Sequence, residues 1–97
     1  SVIGIFGLGK AGNAAIARLL AQGAEIWAWD DAEPSRRAAA AQYQNALLHI
    51  APYEEWQWER VKTLIMAPGV PGSHAVVTLA RQYEVQVTGE VEILQRF

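Results

Sequence analysis

Short apolar runs alternate along this 97-residue chain with stretches in which apolar positions recur at helical spacing. Apolar runs of about four to eight residues between turn signals are typical of buried strands. Such runs lie at residues 2 to 6, 24 to 29, 47 to 50, 63 to 66 and 85 to 88. We predict a strand at each of them. The rest of the segment from residue 45 to residue 58 shows no clear period.

The segments between these runs predict helices. A first helix over residues 11 to 22 ends before Gly23, and a second begins near Pro34. A third helix follows Ser73 as its N-cap residue. Its buried face is expected to contain Val76, Leu79, Ala80 and Tyr83. A last helix is predicted to carry Glu90 and Glu92 in its first turn.

Alternating strands and helices favour parallel βα units with right-handed crossovers. The fold class predicted is therefore α/β, a single Rossmann-like domain with a doubly wound five-stranded parallel sheet in the order 3-2-1-4-5. Ligands of such sheets bind beyond the carboxyl ends of the strands, where the winding direction reverses. In this order, the crevice lies between the loops that follow the first and fourth strands.

Composition narrows the function classes. The chain is 52% hydrophobic and 19% charged, with a net charge of −2, so we expect no nucleic-acid partner. It has no cysteine, which excludes disulfides and thiolate metal sites. No apolar run approaches the roughly 20 residues that span a bilayer, so we expect a cytoplasmic protein without membrane contact. Both chain ends resemble cuts in a longer protein.

The first loop carries the main chemical signal. Gly7, Gly9 and Gly12 follow the first strand and open the first helix, which is the spacing of a phosphate-binding turn. Gly7 is expected to form the tight turn, Gly9 to let N–H groups approach a diphosphate, and Gly12 to let helix and strand pack closely. Asp30 ends the second strand, where a carboxylate can accept a hydrogen bond from a ribose or a base. Alternatively, it only caps the next helix.

The sequence does not support a P-loop or a histidine-based site. Gly4 to Lys10 fits the spacing of an ATP-binding P-loop, but Ala11 lacks the hydroxyl that binds Mg²⁺ and Gly4 falls within a strand, so we reject ATP binding there. His49 and His74 have neither paired metal ligands nor a nucleophile nearby in the sequence. We therefore predict no catalytic residue and no metal site in this chain.

Four motifs in order carry a family resemblance. They are Gly-Leu-Gly-Lys-Ala-Gly at 7 to 12, Ala-Trp-Asp-Asp at 28 to 31, Met-Ala-Pro-Gly-Val-Pro at 66 to 71, and Thr-Gly-Glu-Val-Glu-Ile-Leu at 88 to 94. Together they resemble the N-terminal domain of the Mur ligases, in the branch that adds D-glutamate during peptidoglycan synthesis. The resemblance covers nearly the whole chain.

The resemblance implies a function for residues 1 to 97 as a UDP-sugar-binding N-terminal domain. It implies that the UDP part of UDP-N-acetylmuramoyl-L-alanine binds here, while ATP, Mg²⁺ and D-glutamate bind in domains outside this chain, which alone should not be catalytic. The implied UDP-binding residues are Gly7, Leu8, Gly9, Lys10, Ala11, Gly12, Asp30, Asp31, Pro68 and Gly69. Two departures from the family are Ala11, where a hydroxyl is common, and Ala32, where an arginine can occur.

Two alternatives stay open at this point. The glycine spacing followed by Asp30 is also the fingerprint of an NAD-binding domain of a dehydrogenase. A regulatory or scaffold domain with an empty crevice would show the same strands and helices.

Overall fold

The computed structural model describes residues 1–89, which form an α/β domain around one parallel sheet. The strands are β1 (Val2–Phe6), β2 (Glu25–Trp29), β3 (Leu48–Ile50), β4 (Thr63–Met66) and β5 (Gln86–Gly89). Their order is β3-β2-β1-β4-β5, and every neighbouring pair is parallel. The predicted fold class, strand order and Rossmann-like topology are confirmed.

Three helices connect the strands. They are α1 (Lys10–Ala21), α2 (Glu33–Gln42) and α3 (Ala75–Gln82). The N-cap residue of α3 is His74 rather than the predicted Ser73, because the His74 ring accepts a hydrogen bond from the Val76 N–H. The predicted buried face of α3 is also wrong at Tyr83, which follows the helix and is 47% exposed. Val77 is buried instead.

The sheet has a different cover on each face. On one face, α1 and α2 pack on the central strands through Ile16, Leu19 and Ala39, all buried. On the other face, α3 packs beside a cluster of tryptophans. Helices on both faces leave the carboxyl ends of the strands as the open edge at which loops meet.

The segment that the sequence left undefined supplies the tryptophan cluster. It forms two short 3₁₀ turns, Tyr53–Glu55 and Trp58–Arg60. The indole N–H groups of Trp56 and Trp58 donate to the Ala51 and Tyr53 carbonyls, both at 2.7 Å. The two rings stack with centroids 5.0 Å apart, so both tryptophans are core residues.

Two predictions are limited by the described range. The helix predicted to carry Glu90 and Glu92 lies outside the described residues. Within residues 1–89, no helix is both long enough and apolar enough to cross a bilayer.

Candidate functional site

The loops after β1 and β4 begin in contact. The Ala67 N–H donates to the Phe6 carbonyl at 2.9 Å. Gly7 has φ +105°, and a Cβ there would lie 2.4 Å from the Ala67 Cβ. Both the backbone conformation and the close approach require glycine. The turn predicted at Gly7 is confirmed, and at this turn the loop after β1 contacts the loop after β4.

Gly12 and Gly9 differ in what surrounds them. A Cβ on Gly12 would lie 1.9 Å from the Gly7 carbonyl oxygen, so the predicted close approach of α1 to β1 is confirmed. A Cβ on Gly9 would meet no protein atom within 4 Å. The packing of the protein therefore explains why glycine is needed at positions 7 and 12. At position 9, no atom of the described residues lies close enough to exclude a side chain.

This open space lies at the N-terminus of α1, where Gly9 is the N-cap residue. The first residues of a helix, here Lys10, Ala11 and Gly12, lack intrahelical acceptors for their N–H groups. The N-cap residue Gly9 supplies no side-chain acceptor, and no acidic residue lies in the first turn. These N–H groups and the helix dipole together favour an anion. Lys10 is exposed beside them.

Asp30 uses both carboxylate oxygens to hold backbone. Its Oδ2 accepts from the Leu8 N–H at 2.7 Å, and its Oδ1 accepts from the Ala32 N–H at 2.8 Å. The first contact ties the glycine loop to the end of β2. Leu8 also buries its side chain in the core. Asp30 and Leu8 therefore hold the glycine loop in place through contacts with protein atoms.

Asp31 lies next to Asp30 but makes a different contact. Its Oδ2 lies 2.8 Å from the Nε2 of His74, across the end of β1. The His74 ring packs on Phe6, with centroids 4.4 Å apart, and meets the Tyr53 ring edge-on at 5.6 Å. Burial, with added repulsion from Glu54 and Asp31, raises the pKa of Tyr53, so its hydroxyl stays protonated at neutral pH.

Arg36 also reaches the carboxyl edge. Arg36 lies half-buried on α2. Its guanidinium lies 4.1 Å from the centre of the Trp29 ring and donates to the Asp30 carbonyl at 2.7 Å. Stacking on an indole favours this half-buried position. Arg37 remains exposed and pairs with Glu33 on its own helix.

The second loop borders the same edge without touching the acids. Pro68 and Gly69 are exposed, and Gly69 has φ +90° in a turn closed by the Val70 N–H on the Ala67 carbonyl. Among residues 1–89, no hydrogen bond joins Pro68 or Gly69 to Asp30 or Asp31. The structure thus pairs Asp31 with His74 and leaves Pro68 and Gly69 without a hydrogen bond to either acid.

Away from the glycine loop, the described residues form no metal-ligand cluster, but they do form a cleft. Nowhere in residues 1–89 do three or more His, Cys, Asp or Glu side chains gather as metal ligands. A cleft of about 260 Å³ lies between β4, α3 and β5, with Met66, Val77 and Arg81 in its wall. Gly89, the last described residue, is part of that wall. We assign no ligand to this cleft.

Sequence reasoning missed His74 and Tyr53 as members of the site. Both had no partner in the sequence, since Asp31 is 43 residues away from His74. The signal that could have found them is topological. Loops that follow parallel strands meet at one edge of the sheet. Asp31, Tyr53 and His74 lie in the loops that follow β2, β3 and β4.

The fold and the glycine loop define the class of this domain, a Rossmann-like α/β domain. A solved structure, shikimate dehydrogenase from Aquifex aeolicus, shares this fold with a TM-score of 0.58 at 14% identity. The similarity covers 96% of this chain and 43% of that one. At this identity the similarity shows the fold alone.

Within that class, the family is shown by sequence. A family model for the Mur ligase MurD-like N-terminal domain matches residues 1–89, and the chain belongs to this family. Similar proteins named UDP-N-acetylmuramoylalanine--D-glutamate ligase occur in Wolbachia pipientis wMel, with 37% identity, and in Bartonella henselae, with 39% identity. The matches cover 94% and 97% of this chain but only 18% and 20% of those proteins. The chain thus spans about a fifth of the length of these relatives, and its predicted resemblance to Mur ligases is confirmed.

Proposed function

We propose that this domain binds the UDP part of UDP-N-acetylmuramoyl-L-alanine for a ligase that adds D-glutamate with ATP hydrolysis. The observation that carries the proposal concerns Gly9. No atom of the described residues lies close enough to exclude a side chain there, so packing within the protein does not explain the glycine. It lies at the N-terminus of a helix with unused N–H groups. The relatives' shared name supports the identity of the UDP-linked substrate.

The diphosphate is the part of the ligand that this loop fits. Hydrogen bonds from backbone N–H groups to a charged oxygen contribute about 1.5 to 3 kcal/mol each. The side chains around the loop carry both signs, Lys10 and Arg36 against Asp30 and Asp31. Their charges largely offset one another, so the directed N–H groups and the helix dipole account for most of the attraction. Ala11 contributes its N–H group without the hydroxyl that is common in the family.

The nucleoside end is proposed to lie toward Asp31 and Pro68-Gly69, on either side of the end of β1. In the whole ligase, the proposed reaction transfers the γ-phosphoryl group of ATP to the substrate carboxylate and releases ADP. The amine of D-glutamate then attacks the resulting acyl phosphate, which forms the amide and releases inorganic phosphate. ATP and Mg²⁺ would be bound by parts of the enzyme outside this chain. This domain holds the substrate and is not proposed to catalyse.

A parallel titration tests the proposal. UDP, UDP-N-acetylmuramoyl-L-alanine and NADH are each added to the ¹⁵N-labelled chain, and amide chemical shifts are followed by NMR. We expect both UDP compounds to shift the signals of residues 9 to 12 and NADH to bind more weakly. Preference for NADH would instead indicate a dehydrogenase-type domain, and binding of none of the three would refute the proposed function.

Substitution of Gly9 adds a sharper test. Gly9→Ala places a methyl group in the space assigned to the diphosphate, and we expect affinity for UDP to fall about tenfold, equal to loss of about 1.4 kcal/mol. Ala21→Ser, at the exposed far end of the same helix, is the matched control and should bind as the unmodified chain does. Equal affinity of the Gly9→Ala and Ala21→Ser variants would contradict the assignment of the loop.

A further inference from the structure

The two adjacent acids at the end of β2 have different roles in the structure. Both oxygens of Asp30 accept hydrogen bonds from backbone N–H groups. Asp31 has a 64% exposed side chain, and only its Oδ2 has a hydrogen-bond partner among the described residues, the His74 ring. Its Oδ1 is therefore free to accept a hydrogen bond from a ligand.

The contacts of His74 fix its protonation pattern. Its Nδ1 accepts the Val76 N–H at 3.0 Å, so Nδ1 carries no proton. In the neutral ring the proton then lies on Nε2, which donates to Asp31 at 2.8 Å. The ring thus has two simultaneous hydrogen bonds, one as the N-cap of α3 and one to Asp31.

The surroundings of His74 restrict its movement. The ring packs on Phe6 at the end of β1 and against the edge of Tyr53, and the side chain is only 19% exposed. Since β1 lies between β2 and β4, the contact with Asp31 links the two sides of the crevice over the strand that leads into the glycine loop. An exposed aspartate is thereby held by a side chain that is itself fixed by a helix cap and two aromatic rings.

We infer that His74 is a positioning residue, which holds the Asp31 carboxylate ready to accept a hydrogen bond from an N–H or hydroxyl of the nucleoside part of the ligand. The inference rests on the proposed function, and it assigns the ligand-facing role to Asp31 rather than Asp30. Fixing one side chain before binding lowers the ordering cost of association. We expect this effect to be worth about a three- to tenfold change in affinity, as is typical for one immobilised side chain.

Two substitutions separate the functions of the ring. His74→Asn keeps an oxygen near the position of Nδ1, and Asn is among the best N-cap residues, but its side chain is too short to reach Asp31. His74→Gln places an amide N–H near the position of Nε2 and can restore that contact. A matched control exists at the opposite end of the sheet, where His49 lies 2.9 Å from Glu25. His49→Gln alters a similar His–carboxylate pair away from the crevice.

The experiment measures binding of UDP, and of inorganic diphosphate, to each variant by NMR titration, with thermal unfolding as the check on folding. We expect His74→Asn to weaken UDP binding three- to tenfold and to leave diphosphate binding unchanged. His74→Gln should recover most of the loss, and His49→Gln should bind normally. In a double-mutant cycle, Asp31→Ala combined with His74→Asn should lose no more affinity than Asp31→Ala alone.

Several results would overturn the inference. Normal UDP binding by His74→Asn would do so while leaving the proposed function intact, as would fully additive losses in the cycle. An equal loss for UDP and diphosphate would indicate a structural role only. Absence of UDP binding by the unmodified chain would refute both proposals. The ¹⁵N signals of the His74 ring show which ring nitrogen carries the proton in the absence of any ligand. A proton found on Nδ1 of the neutral ring would contradict the assigned hydrogen bonds.

Discussion

Replacing Gly12 by alanine tests how the glycine loop is built. An added Cβ would lie 1.9 Å from the Gly7 carbonyl oxygen, whereas real Cβ atoms essentially never approach a heavy atom within 3.0 Å. To relieve this clash, α1 and the Gly7 carbonyl would have to move apart by roughly 1 Å. The obstacle is backbone, and Gly7 is itself fixed by its positive φ and by Ala67. The strain cannot be relieved by rotating a side chain.

The expected magnitude combines two opposing effects. Alanine is favoured over glycine in a helix by up to about 1 kcal/mol. Overpacking against a fixed neighbour costs about 3 kcal/mol or more at the upper end of its range. The free energy of unfolding should therefore fall by about 2 kcal/mol or more. In a domain of this size, that loss lowers the melting temperature by about 8 to 16 °C.

Urea and thermal unfolding, followed by tryptophan fluorescence and circular dichroism, measure this change. Gly9→Ala is the matched control, because the same substitution three residues earlier meets no atom within 4 Å. Its cost should stay below about 1 kcal/mol, the usual difference between glycine and alanine as an N-cap residue. If Gly12→Ala were as stable as Gly9→Ala, the close approach of α1 to Gly7 would be refuted.

Two further predictions concern carboxylates. Asp30→Ala should lower the free energy of unfolding by about 1 to 3 kcal/mol in urea titrations, because the Leu8 N–H at 2.7 Å loses its acceptor, and an unchanged value would contradict this role. The hydrogen bond from Arg60 lowers the pKa of Glu25 from its usual value of 4.5, with His49 adding to the effect and burial opposing it. Since the folded pKa is the lower one, this stabilisation is present above about pH 4.5 and is lost as the pH falls through the folded value. Glu25→Gln should therefore lose stability at neutral pH and show a weaker dependence on pH in acid, and an unchanged acid profile would count against the Arg60 contact.

Local pattern was sufficient to predict the sheet. Strands buried on both faces are continuous apolar runs, and their alternation with helices leaves few topologies. The strands predicted at residues 2 to 6 and 63 to 66 have the same bounds in β1 and β4, and the bounds of the other strands differ by no more than one residue. Such differences are usual at the ends of elements.

The tryptophan cluster could not be predicted in the same way. Trp56 and Trp58 lie in 3₁₀ turns, which have no apolar period that can be recognised in a sequence. Their burial depends on a distant residue, because a Cβ on Gly4 would lie 2.7 Å from the Trp56 ring. Gly4 in β1 therefore leaves space for the indole of Trp56, which lies about 50 residues later in the chain.

The sequence predicted the site correctly only at positions that a single residue type can occupy. Glycine spacing predicted the turn at Gly7 and the close approach at Gly12, because only glycine fits either position. The acids gave no such signal, since an aspartate after a strand can hold backbone or face a ligand. The difference between Asp30 and Asp31 arises from their partners, the Leu8 N–H for one and the His74 ring for the other.

The same reasoning explains why the glycine loop alone left both UDP and NAD open. A turn of this kind presents N–H groups to a diphosphate, and both ligands contain one. Protein groups outside the loop must then distinguish the nucleoside that is attached to the diphosphate. Asp31 and His74 lie on opposite sides of β1, and each is supplied by a different loop at the carboxyl edge. Under our proposal, the glycine loop binds the shared diphosphate and the Asp31–His74 pair contributes to selecting the nucleoside, which is why comparing UDP with inorganic diphosphate in the His74 variants is decisive.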